Sequence, residues 1–481
     1  MSWLKKKDAP KLIMEVDKMG PLELQWYDYL LTIGLFAVVV VIGLYVTRGA
    51  TEEDYFVGGR RVPWIQLALS IAAGVLGGGV MMVFSQFAYS FGFSSLCIIG
   101  GIVLGTFLLV PVAIRYKNLA DEQGFYSLPD LFRHEWGRFA GWTSTAVVAI
   151  WTLGFIAMQL IAAGFLLKAM TGLEHWVGVV AAAAVVASYL VVGGFRSVII
   201  TDCLQYAALG LVLIIVLPAS FPNINWGSAL EHTGQMDPAR AVGFFFLGGL
   251  NMVVSADLWQ RIYAARSPVD ARRGVQVGAL LVLVGGLLLM APALASTGLF
   301  DSTADTRGAL VLALRAYSPR ILLGLAMAAI LMSVMSTLDT MVFVLSLSIS
   351  HDFLVESLGK SVRYRKQSAQ IAMVLSLLAG AIVAAPFDDP DDLLNVGIAV
   401  TSIALILAPP VLISRPKKKM CKRAVNWSLS LGLAVAAVLV VGEAAFGDVL
   451  TPENSIAVLG GSIIGAILGT VVNRCWPTSE M

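Results

Sequence analysis

Charged side chains are scarce in this 481-residue sequence. Asp, Glu, Lys and Arg together make up 13% of the residues, whereas the hydrophobic set makes up 58%. The charged share is about half of that in an average soluble protein. We expect a soluble chain of this composition to precipitate, so the lack of charge excludes a soluble protein and indicates a membrane protein.

Cysteine and histidine are also rare. The four cysteines, Cys97, Cys203, Cys421 and Cys475, show neither a disulfide framework nor the spacing of a metal site, and the four histidines are isolated near predicted helix ends. No nucleophile motif or phosphate-binding loop stands elsewhere in the sequence. We therefore expect no enzymatic activity and no organic cofactor.

Long apolar runs are abundant, and residues 30–46 and 177–192 are almost continuously apolar. Such runs fit membrane helices of about 20 residues and not barrel strands, in which apolar and polar residues alternate. The first run is long, lacks a small-residue cleavage site and leads into further helices, so it is not a signal peptide. The sequence predicts an all-helical polytopic membrane protein with about thirteen spans. Their approximate cores are 26–47, 64–92, 94–115, 138–168, 175–193, 196–219, 240–264, 271–298, 319–349, 366–386, 391–413, 424–445 and 453–474.

The distribution of Lys and Arg predicts the orientation in the membrane. Basic residues concentrate in alternate loops, above all between Arg415 and Arg423, and such loops face the cytoplasm. We expect a multi-pass protein of the plasma (inner) membrane, with its N-terminus outside and its C-terminus in the cytoplasm. The N-terminal tail does not fit this orientation, because its lysines would then lie outside. They are Lys5, Lys6, Lys7, Lys11 and Lys18.

Two predicted spans contain segments that are poor helix formers. Residues 70–79 read SIAAGVLGGG, with four glycines within six positions, and residues 246–257 read FLGGLNMVVSAD. Small residues in membrane helices often serve close helix packing. The alternative, which we favour, is a pair of helices unwound near the membrane midplane, where many transporters bind substrate and ions. The second segment lies five spans after the first, as an inverted repeat requires.

The ninth span carries four hydroxyl side chains at helical spacing. Ser333, Ser336, Thr337 and Thr340 share one flank of this helix. Sodium prefers oxygen ligands, and neutral hydroxyls with backbone carbonyls would bind it weakly enough for release. A single membrane Ser or Thr usually bonds back to its own helix, but four together favour a cation site.

Carboxylates inside membrane segments are few, and each is a candidate functional residue. Asp202 stands early in the sixth span, where a structural pair with Arg196 is the alternative, and Asp339 stands on the hydroxyl-bearing helix. Asp257 precedes Arg261 by four residues, so an ordinary helical ion pair explains it. No Lys or Arg is expected at mid-membrane, so an anionic solute would need backbone amides at helix breaks.

Four motifs, in order, resemble the sodium:solute symporter family from about residue 27 to 413. They are EDYFVGGR from Glu53 to Arg60, GGFRSVIITDCLQ from Gly193 to Gln205, WQRIYAAR from Trp259 to Arg266 with ARRG from Ala271 to Gly274, and MSTLD from Met335 to Asp339. The resemblance implies a leucine-transporter-type core of ten helices in two inverted repeats, 64–219 and 240–413. A tail at 1–25, an extra helix at 26–47 and two C-terminal helices within 424–474 would complete the chain.

The resemblance also implies the sodium ligands. The central site would use Ala72, Val75, Ser333, Ser336 and Thr337, with Ser333 contributing its carbonyl, so that the alanine of many relatives is equivalent. A second sodium site, present in some relatives, would match Asp202, Ser336, Asp339 and Thr340.

The solute is not specified by the resemblance. Sugar-transporting relatives have a glutamine and a glutamate where Gly79 and Ile98 stand here, and proline-transporting relatives have an aspartate and a tryptophan where Gly74 and Gly78 stand. Neither solute is favoured. Candidate solute-binding residues, for which ordinary helix packing is the alternative, are Gly77, Gly78, Gln86, Trp151, Gln159, Asn251 and Ser255.

The function predicted from the sequence is sodium-coupled import of a small organic solute by alternating access, by a monomer. A proton-coupled carrier that uses Asp202 or Asp339 is the main alternative. A sensor is disfavoured because only five residues follow Trp476, and a channel would show larger currents than alternating access permits.

Overall fold

The structure is a computed structural model, and it describes residues 24–46, 51–297, 309–387, 390–414, 420–446, 449 and 451–475. All regular elements in these ranges are helical, apart from one isolated bridge between Val62 and Ala265. The lysine-bearing tail, Asp388, Asp389 and residues 415–419 lie outside the described residues. The expected all-helical membrane fold is confirmed.

Nineteen α-helices are described in these ranges. They are α1 (Trp26–Val46), α2 (Glu52–Val57), α3 (Trp64–Val75), α4 (Gly78–Phe91), α5 (Leu96–Gln123), α6 (Leu128–Trp136), α7 (Arg138–Thr171), α8 (His175–Ser220), α9 (Trp226–Thr233), α10 (Pro238–Val254), α11 (Ala256–Ala264), α12 (Pro268–Ser296), α13 (Ala309–Tyr317), α14 (Leu323–Leu347), α15 (Arg365–Ala384), α16 (Pro390–Ala404), α17 (Ala408–Ile413), α18 (Lys422–Phe446) and α19 (Pro452–Cys475). Helix α14 continues into a π-helix at Ser348–Ser357.

Ten helical stretches of the described residues are long and apolar enough to cross a membrane, or eleven if the bent pair α10 and α11 counts as one span. The number thirteen is therefore not confirmed. The number differs because two predicted spans merge into one helical stretch at Gly78–Gln123 and again at His175–Asn223. In addition, α3 is too short to cross a membrane alone. Stretches of 46 and 49 residues are about twice as long as one crossing requires.

The bend within α8 shows why two predicted spans appear as one helix. Gly194 has φ +61° and ψ −167°, although the helix runs through it. A Cβ at this position would lie 2.5 Å from the Tyr55 ring and 2.8 Å from its carbonyl oxygen. Only glycine combines this dihedral with so close an approach, so α8 bends where the sequence predicted a gap between 193 and 196.

Two helices of the core are broken. The first break separates α3 from α4 at Leu76 and Gly77, within the glycine-rich segment, as predicted. The second separates α10 from α11 at Ser255, with a bend of 41°. The prediction placed Gly248 and Gly249 in this second break, but both lie inside α10. A Cβ on Gly249 would lie 2.9 Å from the Gly101 carbonyl, so this glycine serves close packing against α5.

Helix α14 lies at the centre of the molecule, and every residue from Ala326 to Leu347 is buried. It packs against α3, α7, α8 and α15. The outer helix α1 is fixed to the start of α14 because buried Asp28 accepts hydrogen bonds from the Gly324 N–H and the Arg320 guanidinium, both at 3.1 Å. Central burial makes α14 the scaffold on which polar groups of the core meet.

Candidate functional site

The break between α3 and α4 leaves backbone groups outside the helical hydrogen-bond ladder. Helix α3 ends at Val75, and the Leu76 N–H still donates to the Ala72 carbonyl at 2.9 Å. Gly77 is extended, with φ −71° and ψ 173°, and α4 starts at Gly78 without a side-chain cap. Carbonyls of the last turn of α3 therefore need partners from another element.

Helix α14 supplies those partners from three successive hydroxyls. Ser333 Oγ donates to the Leu76 carbonyl at 2.5 Å, Ser336 Oγ to that of Ala73 at 3.0 Å, and Thr337 Oγ1 to that of Gly74 at 3.0 Å. We call these three hydroxyls and three carbonyls the hydroxyl cluster. It contains six oxygen atoms and no charged group, and all three side chains are buried.

Glycine at position 77 permits this approach of the two helices. A Cβ on Gly77 would lie 1.9 Å from Thr337 Oγ1, inside any possible contact distance. A Cβ on Gly78 would lie 2.2 Å from Val334 Cγ2. The glycines thus contribute close packing as well as poor helix propensity, so both interpretations of the segment apply to it.

The structure brings together the two segments predicted for the central sodium site. The carbonyls that α14 contacts are those of Ala73, Gly74 and Leu76, adjacent to the predicted Ala72 and Val75. Ser333 uses its hydroxyl here, whereas the prediction gave it a role through its carbonyl only. Sodium ligation by any of these atoms stays a prediction.

A second polar cluster lies one helical turn further along α14 and centres on Arg261. This arginine is fully buried. Its guanidinium donates to Asp202 Oδ2 at 3.0 Å, to Asp257 Oδ2 at 2.9 Å and to Thr340 Oγ1 at 3.0 Å, while Nε donates to Ser70 Oγ at 2.8 Å. Ser70 Oγ in turn donates to Asp202 Oδ2 at 2.5 Å. We call this set of five side chains the arginine cluster.

The arginine cluster corrects two expectations. No arginine was expected at mid-membrane, yet a Cβ on Gly74 at the helix break would lie 2.9 Å from the Arg261 guanidinium. Asp202 pairs with Arg261 and not with Arg196, which is exposed. Both differences have one cause: the break at Ser255 turns α11 inward, which sequence spacing alone does not show.

The expected ion pair of Asp257 with Arg261 is present at 2.9 Å. Asp339 precedes Thr340 on α14, and the hydrogen bonds of the guanidinium in the described structure go to other residues. Asp339 Oδ2 accepts a hydrogen bond from the Tyr189 hydroxyl at 2.8 Å. The second carboxylate oxygen of Asp339 and that of Asp202, both Oδ1, are buried and have no hydrogen-bond partner among the described residues.

A cavity of about 140 Å³ borders the hydroxyl cluster. Five of the predicted solute-binding residues line it, namely Gly77, Trp151, Gln159, Asn251 and Ser255. Two do not: Gly78 faces α14 and α7, and Gln86 is absent from the lining. Thr337 and Gly74 lie both in the lining and in the hydroxyl cluster, so cavity and cluster share a wall.

Most of the cavity wall is apolar, and its apolar residues were not predicted. They include Phe155, Met158, Phe244, Leu247 and Leu393. These residues come from different helices, and nothing in the periodicity of each helix distinguishes a cavity wall from an ordinary packed face. Thr401 and Asp257 also line the cavity, and Asp257 had been explained as an ion-pair residue only.

The polar groups of the cavity are few and placed at its sides. The Trp151 indole N–H donates to Asn251 Oδ1 at 3.0 Å, which fixes both side chains between α7 and α10. Gln159 Oε1 is buried without a hydrogen-bond partner in the described part of the chain. An unsatisfied buried acceptor is costly, so this oxygen is available to a donor on a bound molecule.

Two broken helices, a cavity between them and a polar cluster at one break are the arrangement in which many membrane transporters bind solute and ions, and the fold is of the leucine-transporter type. The sequence model of the sodium:solute symporter family matches residues 55–239 of the chain. The resemblance predicted from the motifs, that of the chain to the sodium:solute symporter family, is thereby confirmed.

Known proteins extend this likeness over nearly the whole chain. The sodium/proline symporters of Staphylococcus aureus strains Newman and JH9 are each 24% identical over 479 residues, covering 93% of this chain and 93% of the relative. The solved structure of a Na⁺-coupled sialic acid symporter superposes with a TM-score of 0.76 at 18% identity, covering 93% and 98% of the two chains. Mhp1, a nucleobase-cation-symport-1 transporter, gives a TM-score of 0.59 at 15% identity, covering 90% and 98%.

Proposed function

We propose that the protein is a sodium-coupled importer of a small organic solute. The observation that carries the proposal is the hydroxyl cluster, in which three hydroxyls of α14 face three carbonyls at the break of α3. An all-oxygen, uncharged set suits a hard monovalent cation that must be released in every cycle. The names of the relatives and of the sialic acid symporter support sodium as this cation.

Sodium would bind after a small rearrangement of the hydroxyls. Each hydroxyl now gives its proton to a carbonyl at 2.5–3.0 Å. To ligate a cation, the hydroxyl turns its proton away and presents a lone pair. The carbonyl that loses this hydrogen bond can then also present a lone pair to the cation. The ion then bridges α14 and the end of α3, and it replaces three hydrogen bonds by ion–oxygen contacts.

Thr337 provides the physical link between ion and solute. Its hydroxyl belongs to the hydroxyl cluster, and the residue also lines the cavity. Sodium bound at the cluster would fix this shared wall in place and so favour solute binding, and the solute would favour sodium by the same amount. This reciprocity is the thermodynamic requirement for symport.

The cavity favours a solute with an apolar body and few hydrogen-bonding groups. Its wall carries apolar side chains, the amides of Gln159 and Asn251, the hydroxyls of Ser255, Thr337 and Thr401, and the carboxylate of Asp257. Among the described lining residues no lysine or arginine is present. We infer that a donor on the solute, a hydroxyl or an amine, pairs with Gln159 Oε1.

The remaining expectations belong to the same proposal. We infer two inverted repeats, 64–219 and 240–413, each with its first helix broken, at Leu76–Gly77 and at Ser255. We also infer that the protein acts as a monomer in the inner membrane with its N-terminus outside. Cysteine accessibility on either side of the membrane tests this orientation.

Sodium-dependent thermal stabilisation of the purified protein tests the proposal without knowledge of the solute, because a ligand stabilises the folded form that it binds. We expect the melting temperature to rise with NaCl and not with choline chloride. The double variant Ser336→Ala/Thr337→Val should lose this rise. Ser346→Ala removes a hydroxyl that bonds only within α14, to the Phe343 carbonyl, and should keep it. Uptake that follows pH and ignores sodium would instead establish a proton-coupled carrier.

A further inference from the structure

A second pocket lies apart from the cavity, between the end of α2, the start of α3 and the part of α8 that follows its bend. Its volume is about 240 Å³, and the polar side chains in its lining are Asp54, Arg61, Gln66 and Arg196. None of its lining residues belongs to the hydroxyl cluster, the arginine cluster or the cavity. We call it the surface pocket, and the proposed transport site does not use it.

The surface pocket lies at an edge of the membrane-spanning part of the molecule. Helix α3 begins at Trp64, and α8 bends at Gly194, shortly before Arg196, where two predicted spans meet. Two large apolar side chains at these points are about half exposed, Ile65 at 53% and Val192 at 52%. Exposed apolar groups at the end of a membrane span face lipid chains. Under the proposed orientation, the surface pocket lies at the cytoplasmic leaflet.

The two arginines of the surface pocket are unpaired. Arg61 and Arg196 are both exposed, and neither forms an ion pair within the described part of the chain. Arg60, which directly precedes Arg61, is instead neutralised by Glu53 at 3.0 Å and Asp121 at 3.2 Å. Two like charges in one pocket repel each other, and an anion between them converts this repulsion into attraction.

The one carboxylate in the lining, that of Asp54, does not neutralise the two arginines. Its Oδ2 accepts hydrogen bonds from the Thr51 N–H at 3.0 Å and from the Thr51 hydroxyl at 2.7 Å, at the start of α2. The Thr51 hydroxyl, with Arg196 and Arg61, holds the pKa of Asp54 below its usual value. The carboxylate is therefore ionised, and two guanidinium groups against one carboxylate leave the surface pocket with one positive charge.

We propose that the surface pocket binds the phosphate group of an anionic phospholipid. Guanidinium groups bind phosphate oxygens through paired N–H donors, and the Gln66 amide offers a further donor. Basic pockets between membrane helices bind lipid headgroups by this chemistry. A phosphodiester with one negative charge balances the positive charge of the surface pocket. The exposed Ile65 and Val192 offer an apolar surface to the acyl chains, which a free phosphate ion would not use.

Thermal stabilisation of the purified full-length protein in detergent tests the proposal, because a ligand stabilises the folded form that it binds. The probe is dioleoylphosphatidylglycerol, and a sodium-free buffer makes the result independent of the proposed function. We expect the melting temperature to rise with this lipid. In Arg61→Gln/Arg196→Gln, the lipid concentration that gives half of the rise should increase about tenfold or more. Each single variant should give an intermediate concentration.

The matched control is Arg272→Gln/Arg273→Gln. These two arginines are exposed at the start of α12, which packs beside the start of α3, since a Cβ on Gly274 would lie 2.3 Å from Leu67 Cδ2. The control variant loses the same charge at the same end of the molecule, but neither residue lines the surface pocket. The lipid concentration for half of the rise should change by less than about twofold.

Four results would overturn the proposal. A wild-type melting temperature that does not respond to the lipid would show that no such site exists. An equal loss of response in the two double variants would indicate general attraction of anionic lipid to a basic surface. An equal response to neutral dioleoylphosphatidylcholine would show that the headgroup charge is not recognised. An equal response to inorganic phosphate would assign the surface pocket to a free anion. The lipid-free melting temperature of each variant checks that it is folded.

Discussion

Two polar clusters meet the same flank of α14, and they differ in charge. The hydroxyl cluster joins Ser333, Ser336 and Thr337 to three backbone carbonyls and contains no ionisable group. The arginine cluster, one turn away at Thr340, contains a guanidinium and two carboxylates. Both are closed off from solvent, so burial alone does not distinguish them.

Under the proposed function, the difference teaches how one helix can contact both a cation that is released and a guanidinium that is fixed. Neutral oxygens offer a cation no net charge, so binding there would be reversible. Buried carboxylates in contact with a guanidinium hold it firmly, because separation leaves an uncompensated charge in a low-dielectric interior. The five variants described next, two of them taken together, would break or sharpen this comparison, in order of expected effect.

The largest effect is expected from Arg261→Met, which leaves Asp202 and Asp257 buried without a cation. Loss of one partner from a buried pair typically costs about 3–5 kcal/mol. We expect the free energy of unfolding to fall by about this amount, measured by denaturant titration in detergent micelles without added sodium. Arg196→Met, at the exposed arginine of α8, should change it by less than about 0.5 kcal/mol. Equal effects of the two variants would contradict the assignment.

Gly77→Ala should act on the hydroxyl cluster. The new Cβ would meet Thr337 Oγ1 at 1.9 Å, and overpacking of this kind costs about 1–3 kcal/mol. Because the strain separates α14 from the break, we expect the apparent sodium affinity to fall about tenfold or more, measured by sodium-dependent thermal stabilisation. Gly34→Ala places its Cβ in open space on α1 and should leave the affinity unchanged.

Ser333→Ala and Thr340→Val compare one hydroxyl from each cluster. Each removes one hydrogen bond worth about 1 kcal/mol. We expect Ser333→Ala to weaken sodium binding about fivefold, since its hydroxyl contacts the Leu76 carbonyl. Thr340→Val should lower stability by about 1 kcal/mol but change sodium affinity less than about twofold. An unchanged sodium affinity in Ser333→Ala would support a role for its carbonyl only, as the family resemblance implies.

The smallest effect on stability is expected from Gln159→Met. The informative result is the sign of the change in the free energy of unfolding. The variant removes a buried acceptor that has no partner among the described residues. We expect the solute-free protein to become more stable by up to about 1 kcal/mol. Sodium stabilisation should stay as it is, while solute uptake falls once a solute is known. A loss of sodium response would show that the cavity and the hydroxyl cluster are not separable.

Much of the fold follows from the sequence, because helix formation and membrane insertion depend on local composition. The apolar runs predict most of the long helices to within a few residues but not the short helices α2, α6, α9 and α13, and the glycines at 74, 77, 78 and 79 predict the break between α3 and α4. The number of spans does not follow. A glycine in a run can bend a helix, end it or let a neighbour approach, and Gly194 and Gly249 show two of these outcomes.

The hydroxyl cluster could be anticipated in part. Helical periodicity places Ser333, Ser336 and Thr337 on one flank of α14, and the family resemblance indicates the break as their partner. The identity of the contacted carbonyls could not be predicted, since it depends on how α3 and α14 are rotated relative to each other. A rotation by one residue exchanges Ala72 for Ala73.

The sequence by itself determined that this protein lies in a membrane, is helical and resembles sodium-coupled symporters, because these properties depend on composition, periodicity and short motifs. Only the tertiary structure decided that Arg261 lies next to the break between α3 and α4 and donates a hydrogen bond to Asp202, 59 residues away in the chain. The physical reason is that the ion pair of a buried charge depends on distance in space and not on separation along the chain. Asp202 lies near Arg196 in the chain, but the bend at Ser255 brings Arg261 to it instead.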